Sequence, residues 1–146
     1  MKRYVLDSNL FIAAARDREK AEELSAFSSS HLPHLHLHAV VAQEILAGAT
    51  SAEWRRELER GIVGPYERRG RIITPDYRAW KRSGEILADL IRTKRLPSGG
   101  VGRSFLNDLL IATSCREAGC TLITSKTKDF ELIAEQESFS FMRSWP

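Results

Sequence analysis

The stretch Phe105–Phe130, FLNDLLIATSCREAGCTLITSKTKDF, constrains this chain more than any other. An apolar run extends from Phe105 to Ala112 and on to Cys115, interrupted early by Asn107 and Asp108. A helix that is apolar nearly all round is a buried helix, here expected to pack against a sheet. Gly119 supplies the residue type that best tolerates a left-handed helix stop. Thr121-Leu122-Ile123-Thr124 then has the composition of a short strand. Asp108 thus falls near the start of a buried helix, and Asp129 just past the next strand. Carboxylates set beside a core call for a partner or a cation, because burying an uncompensated charge is costly.

The same alternation of apolar strands and helices runs through the rest of the chain. Tyr4-Val5-Leu6 reads as a first strand ending at Asp7-Ser8-Asn9, and a helix begins over Leu10–Ala15. Arg16–Phe27 continues as charged helix or helix-turn-helix, with Ser28-Ser29-Ser30 as a polar break. His34-Leu35-His36-Leu37-His38 alternates with period two, as a strand does. Its histidines invite a metal reading, but alternate residues on one strand face have a simpler structural role. Ala39–Leu46 is an apolar helix holding Glu44, with Gly48 as a natural stop. Ser51–Arg60 is an amphipathic stretch with Trp54 and Leu58 on one side, and Gly61–Gly70 a turn region. Ile72-Ile73-Thr74 is a strand candidate. Tyr77–Arg92 is a long helix with Trp80, Ile86, Leu87, Leu90 and Ile91 as core positions. Thr93–Arg103 is the clearest loop, Glu131–Glu135 a further helical piece, and Phe139–Trp145 a last strand.

Alternating strands and helices predict an α/β fold: a three-layer α/β/α sandwich around a mainly parallel sheet. At 146 residues the expectation is one domain spanning 1–146. No apolar run approaches the ~20 residues needed to span a bilayer. The opening MKRYVLDSN turns polar too soon for a signal peptide, so a cytoplasmic location without membrane contact is expected. Cys115 and Cys120 are too few for a disulfide scaffold and lack zinc-site spacing. The net charge of +3 is compatible with a polyanionic partner without requiring one.

In a parallel sheet, ligand sites form outside the carboxyl ends of the strands. Asp7 and Asp129 follow strand candidates, while Glu44 and Asp108 sit in helices that would pack on the sheet. All four can converge at one cleft, although Asp7 or Ser8 could equally serve as a helix cap. Four convergent carboxylates raise one another's pKa unless a cation sits among them. Oxygen-only ligation favours Mg²⁺ or Mn²⁺ over zinc, and such ions suit phosphodiester hydrolysis. The glycines Gly99, Gly100 and Gly102 do not form a phosphate loop. Arg103-Ser104 stands where Lys-Ser or Lys-Thr is required, and no strand precedes them. They make a flexible entry to the Asp108 helix, with Lys94, Arg95 and Arg103 near the cleft as candidate substrate-binding cations, together with Lys126 and Lys128.

With these pieces in order, the chain resembles the PIN-domain nucleases, and among them the VapC-type toxins of toxin–antitoxin pairs. The resemblance rests on VLDSNLFI, VVAQEILAG and LNDLLIATSCREAGCTLITSKTKDF, and covers Tyr4 to Phe130. It implies Asp7, Glu44 and Asp108 as acidic metal-site residues, Asp129 as the fourth, and Asn9 as the polar helper. It further implies ribonuclease activity on an RNA substrate, dependence on Mg²⁺ or Mn²⁺, a homodimer and an inhibitory antitoxin. The chain departs from the pattern at Ser125-Lys126-Thr127, where many relatives carry Asn or Asp. Ser125 and Thr127 are therefore candidates to share the fourth role, and a second ion is less well supported than a first. Two other readings stand beside this one. A PIN-like module could bind RNA or protein without catalysis. An Asp-x-Asp phosphatase would need an acid where Asn9 stands, and Asn cannot act as a general acid.

Overall fold

The protein is described by a computed structural model covering residues 2–143 and Trp145. Five strands form one sheet in the order β3-β2-β1-β4-β5, and every pairing is parallel. They are β1 (Tyr4–Leu6), β2 (Leu35–His38), β3 (Ile72–Ile73), β4 (Thr121–Ile123) and β5 (Phe141–Met142). Val5, Leu6, Leu35, Leu37, Leu122 and Ile123 are at most 1% exposed. Such burial explains why these strands are apolar runs rather than two-faced alternations: helices cover both faces.

Two helices, α1 (Ser8–Arg16) and α2 (Arg18–His31), connect β1 to β2. Three more, α3 (Ala39–Gly48), α4 (Ala52–Leu58) and α5 (Gly64–Arg68), lead to β3. The helices α6 (Tyr77–Arg92) and α7 (Arg103–Ala118) return the chain across the sheet to β4, and α8 (Lys128–Ala134) leads on to β5. Crossovers between parallel strands are right-handed, so the two directions of travel put their helices on opposite faces. The packing agrees: α1 packs on α2 and α3, and α7 on α6 and α8, with α3 and α7 meeting where Glu44 faces Asn107. The result is the three-layer α/β/α arrangement expected from the sequence. Strand order reverses between β1 and β4, and the crevice at their carboxyl ends is where such folds place ligands.

The buried helix is α7. Asp108 through Cys115 are all buried, and Gly119 closes the helix at φ 68°, ψ 34°. A left-handed residue there lets the Gly119 and Cys120 amides satisfy carbonyls of the last turn.

Several local expectations are corrected. Ser28–Ser30 does not break the chain but continues α2, where the Ser30 hydroxyl donates to the Ala26 carbonyl and Phe27 anchors the helix in the core. Gly61–Gly70 is mostly helical, with a wide turn over Glu59–Val63 running into α5, which Pro65 opens. By contrast α3 does end at Gly48, with Ala49 as its cap. Trp80 is 59% exposed and is no core residue. The buried stripe of α6 is Ala79, Ser83, Ile86 and Leu90. Six residues from Ile86, Trp80 lies about 120° away around the axis. Trp54, too, is exposed. Of the expected last strand only Phe141–Met142 pairs, and Ser144 lies outside the described residues. Among the described residues no helix is long and apolar enough to cross a membrane.

Candidate active site

The register of the two central strands builds the site. Leu6 pairs with Ile123, and the Asp7 amide extends the ladder by donating to the Ile123 carbonyl at 2.9 Å. The next residue on each strand is polar, so Asp7 and Thr124 emerge side by side at the carboxyl end. Thr124 is fully buried, and its hydroxyl donates to Asp7 Oδ2 at 2.8 Å. Asn9 Nδ2 donates to the same oxygen at 3.1 Å, and the Ser8 amide donates to Asp7 Oδ1 at 2.8 Å. Asp7 is thus both the cap of α1 and a fixed site carboxylate, so the two readings of its sequence position were not alternatives. Burial raises its pKa, opposed by the Thr124 and Ser8 hydrogen bonds, the Lys126 charge and the Asn9 hydrogen bond.

Glu44 reaches the same cavity from α3. Asn107 Nδ2 donates to its Oε2 at 3.4 Å, while its Oε1 is buried without a hydrogen-bond partner. Burial raises its pKa, with the Asp7 charge adding to the effect and hydrogen bonds from Ser8 and Asn107 opposing it. Asp108, in the second turn of α7, is the most perturbed of the acids. Its own burial pushes its pKa up to about 8, helped by Asp7, by a hydrogen bond and charge from Asp129, and by Glu44. Burial and its acidic neighbours thus favour the neutral form of Asp108.

These three acids line one cavity of about 410 Å³ together with Ser8, Asn9, Asn107, Arg103 and Lys126. Asp129 does not line this cavity itself but meets it through Asp108, with which it shares a hydrogen bond. It lies in the first turn of α8, bonded to Asp108, and lines a neighbouring groove with Lys94, Arg95 and Lys128. Phe130, the next residue, is buried and lines the main cavity, so Asp129 sits at the boundary between cavity and groove, in contact with Asp108. Arg95 is already paired with Glu135 at 2.8 Å. Ser125 contributes its amide, which donates to Asn9 Oδ1 at 3.2 Å, whereas its side chain faces a pocket lined by Leu10 and Trp145. Thr127 caps α8 in position only, without a side-chain cap hydrogen bond.

The histidines stay apart from this chemistry. His34 lies in a short helical turn before β2, and His38 caps α3 by accepting from the Val40 amide at 3.0 Å. Burial lowers the His38 pKa to about 4, so it is neutral at physiological pH. The sequence reading overlooked Thr124 and Asn107 as site residues. A signal for Thr124 was available, because it is the first polar residue after a strand that pairs with the Asp7 strand.

Among the described residues no group of three or more His, Cys, Asp or Glu is disposed to hold an ion unaided. The donor set still suits a hard cation that keeps part of its water shell, as Mg²⁺ does when held by one or two carboxylates and a substrate phosphate. The unpartnered Glu44 Oε1 and the mutually strained acids are what such an ion would relieve.

A family model described as PIN domain matches residues 4–136. Solved structures are similar over nearly the whole chain. The DNA-bound VapBC complex from Salmonella typhimurium shows a TM-score of 0.69 at 19% identity, covering 97% of this chain and 98% of that one. FitAcB from Neisseria gonorrhoeae gives 0.67 at 19% identity, covering 94% and 95%. VapBC-1 from nontypeable Haemophilus influenzae gives 0.64 at 22% identity, covering 95% and 96%. No curated protein sequence matches significantly.

Proposed function

The chain belongs to the PIN-domain family, and from that premise we propose that it is a metal-dependent endoribonuclease, the toxin of a toxin–antitoxin pair. The observation that carries this reading is the meeting of Asp7, Glu44 and Asp108 in one cavity at the switch point of a parallel sheet. Three acids from three elements, with Asp108 pushed towards its neutral form by burial and acidic neighbours, suit a cation and a phosphodiester far better than an apolar ligand.

Asp7 and Asp108 are the principal metal ligands in this reading, with Glu44 reaching the ion directly or through water and Asp129 in support. A bound Mg²⁺ or Mn²⁺ supplies Lewis-acid charge for the phosphodiester oxygens and acidifies a water. Thr124, Asn9 and the Ser8 amide hold Asp7 in one orientation, so no reorganisation is needed when substrate arrives. Asp108 gives up its proton on loading, which makes metal binding pH-dependent. In this reading Glu44, whose Oε1 is buried without a hydrogen-bond partner, accepts the proton of the attacking water. Arg103 and Lys126 at the rim draw the RNA backbone in, with Lys94, Arg95 and Lys128 extending the basic track beyond the adjacent groove. The similar structures are VapBC and FitAB assemblies, which supports a cognate antitoxin partner. A homodimer in the cytoplasm completes the proposal.

Purified protein incubated with total cellular RNA should produce discrete fragments with Mg²⁺ or Mn²⁺ and none with EDTA. Asp108→Asn and Asp7→Asn should each abolish cleavage while leaving the circular dichroism spectrum unchanged. Undiminished cleavage by either variant refutes the mechanism. Absence of cleavage by the wild type under every condition favours a non-catalytic module that binds RNA or protein.

A further inference from the structure

The acid cavity contains a cation of its own. Lys126 follows β4 by three residues, and its amide donates to the Thr124 hydroxyl at 3.1 Å. That hydroxyl donates to Asp7 Oδ2, so a single oxygen ties the Lys126 backbone to the Asp7 carboxylate. The Lys126 side chain lines the same cavity as Asp7, Glu44 and Asp108. Its positive charge acts on both Asp7 and Glu44. Arg103 lines the cavity as well. Among the described residues Lys126 makes no ion pair within 4 Å, so its ammonium is uncommitted.

Charge balance shows what an uncommitted ammonium does here. Three ionised carboxylates are neutralised by one divalent ion and one lysine together. A second divalent ion would then find only Asp129 left to hold it, beside a fixed positive group. Asp129, the remaining acid, already faces the groove with Lys94, Arg95 and Lys128.

We propose that Lys126 is the built-in counter-cation of this cavity: the site takes one divalent ion, and Lys126 meets the phosphodiester oxygen that a second ion would otherwise hold. This rests on the metal-site reading above. A flexible, strongly hydrated ammonium suits that task, since it pairs with phosphate as a point charge without imposing bidentate geometry.

The test is Mn²⁺ binding by calorimetry, with stoichiometry checked by electron paramagnetic resonance, on wild type, Lys126→Gln, Lys126→Arg and Asp108→Asn. Lys126 is exposed, so its substitution should leave the fold intact, as circular dichroism would verify. The wild type and Lys126→Arg should bind one ion per chain. Lys126→Gln should either bind a second ion or hold the first about tenfold more tightly, the order expected on removing one nearby charge in a wet cleft. Two ions on the wild type, or identical Mn²⁺ binding by the wild type and Lys126→Gln, overturns the proposal. If the wild type binds an ion that Asp108→Asn loses while Lys126→Gln behaves as the wild type, the metal site stands and only the role of Lys126 falls. If the wild type binds no Mn²⁺ at all, both fall.

Discussion

Asp108 makes the metal-free protein sensitive to pH in a window that few other groups share. Its carboxyl titrates at about 8 in the folded protein against an ordinary 3.8, because it is buried beside Asp7, Asp129 and Glu44. The folded state therefore holds a proton that the unfolded chain has already lost. Stability from this source is fully present below the unfolded value and is lost as pH rises through about 8. His38 has the opposite sign: its folded pKa is lowered to about 4, so its contribution builds as pH rises from 4 and levels off above 6.5. Between pH 6.5 and 8 it adds only about 0.4 kcal/mol, while Asp108 titrates in the opposite sense. Integrating the linkage over that interval gives a loss of about 1.5 kcal/mol. Urea unfolding of EDTA-treated protein at pH 6.5, 7.25 and 8 would measure it, because the midpoint shifts while the slope stays fixed. Asp108→Asn should flatten the dependence and leave the variant more stable than wild type at pH 8. Adding Mg²⁺ to the wild type should also flatten it, since a bound cation removes the reason to hold the proton. Equal stability of the metal-free wild type at pH 6.5 and 8, or the same slope in Asp108→Asn, refutes the argument.

Two further substitutions probe how the site and its helix are held. Thr124→Val keeps the shape but removes the hydroxyl that binds Asp7 and accepts from Asn9 and Lys126. It should cost about 1–3 kcal/mol in urea unfolding and lower the RNA cleavage rate more than it raises KM. Unchanged stability and rate would remove Thr124 from the site. Gly119→Ala should destabilise by about 1 kcal/mol through backbone conformation alone, because φ is 68° and an added Cβ meets nothing within 4 Å. A loss of several kcal/mol would show that sterics, not backbone preference, require the glycine.

Much of this protein was legible in its sequence, for a definite reason. Strands buried on both faces must be apolar runs, so Tyr4-Val5-Leu6 and Thr121-Leu122-Ile123 announce themselves and imply a parallel sheet. Polar residues at the ends of such runs stand out against them, which is how Asp7 was found. Asp108 was visible because a carboxylate in an otherwise buried helix is costly without a purpose. Chain order also fixed the stop at Gly119, since only the local backbone decides it.

What the sequence could not supply is distance between residues far apart in the chain. Ser28–Ser30 and Gly61–Gly70 look like breaks by local propensity, but Phe27, Val63 and Tyr66 are held in the core and keep those segments helical. That Asp129 reaches the other acids through Asp108 while lining a neighbouring groove with Lys94, Arg95 and Lys128 depends on how α8 packs beside α7. Thr124 is a site residue only because strand register sets it beside Asp7, more than a hundred positions away. The protonated state of Asp108 likewise belongs to no single residue. It arises from the charges that folding gathers around it, and only the tertiary structure brings them together.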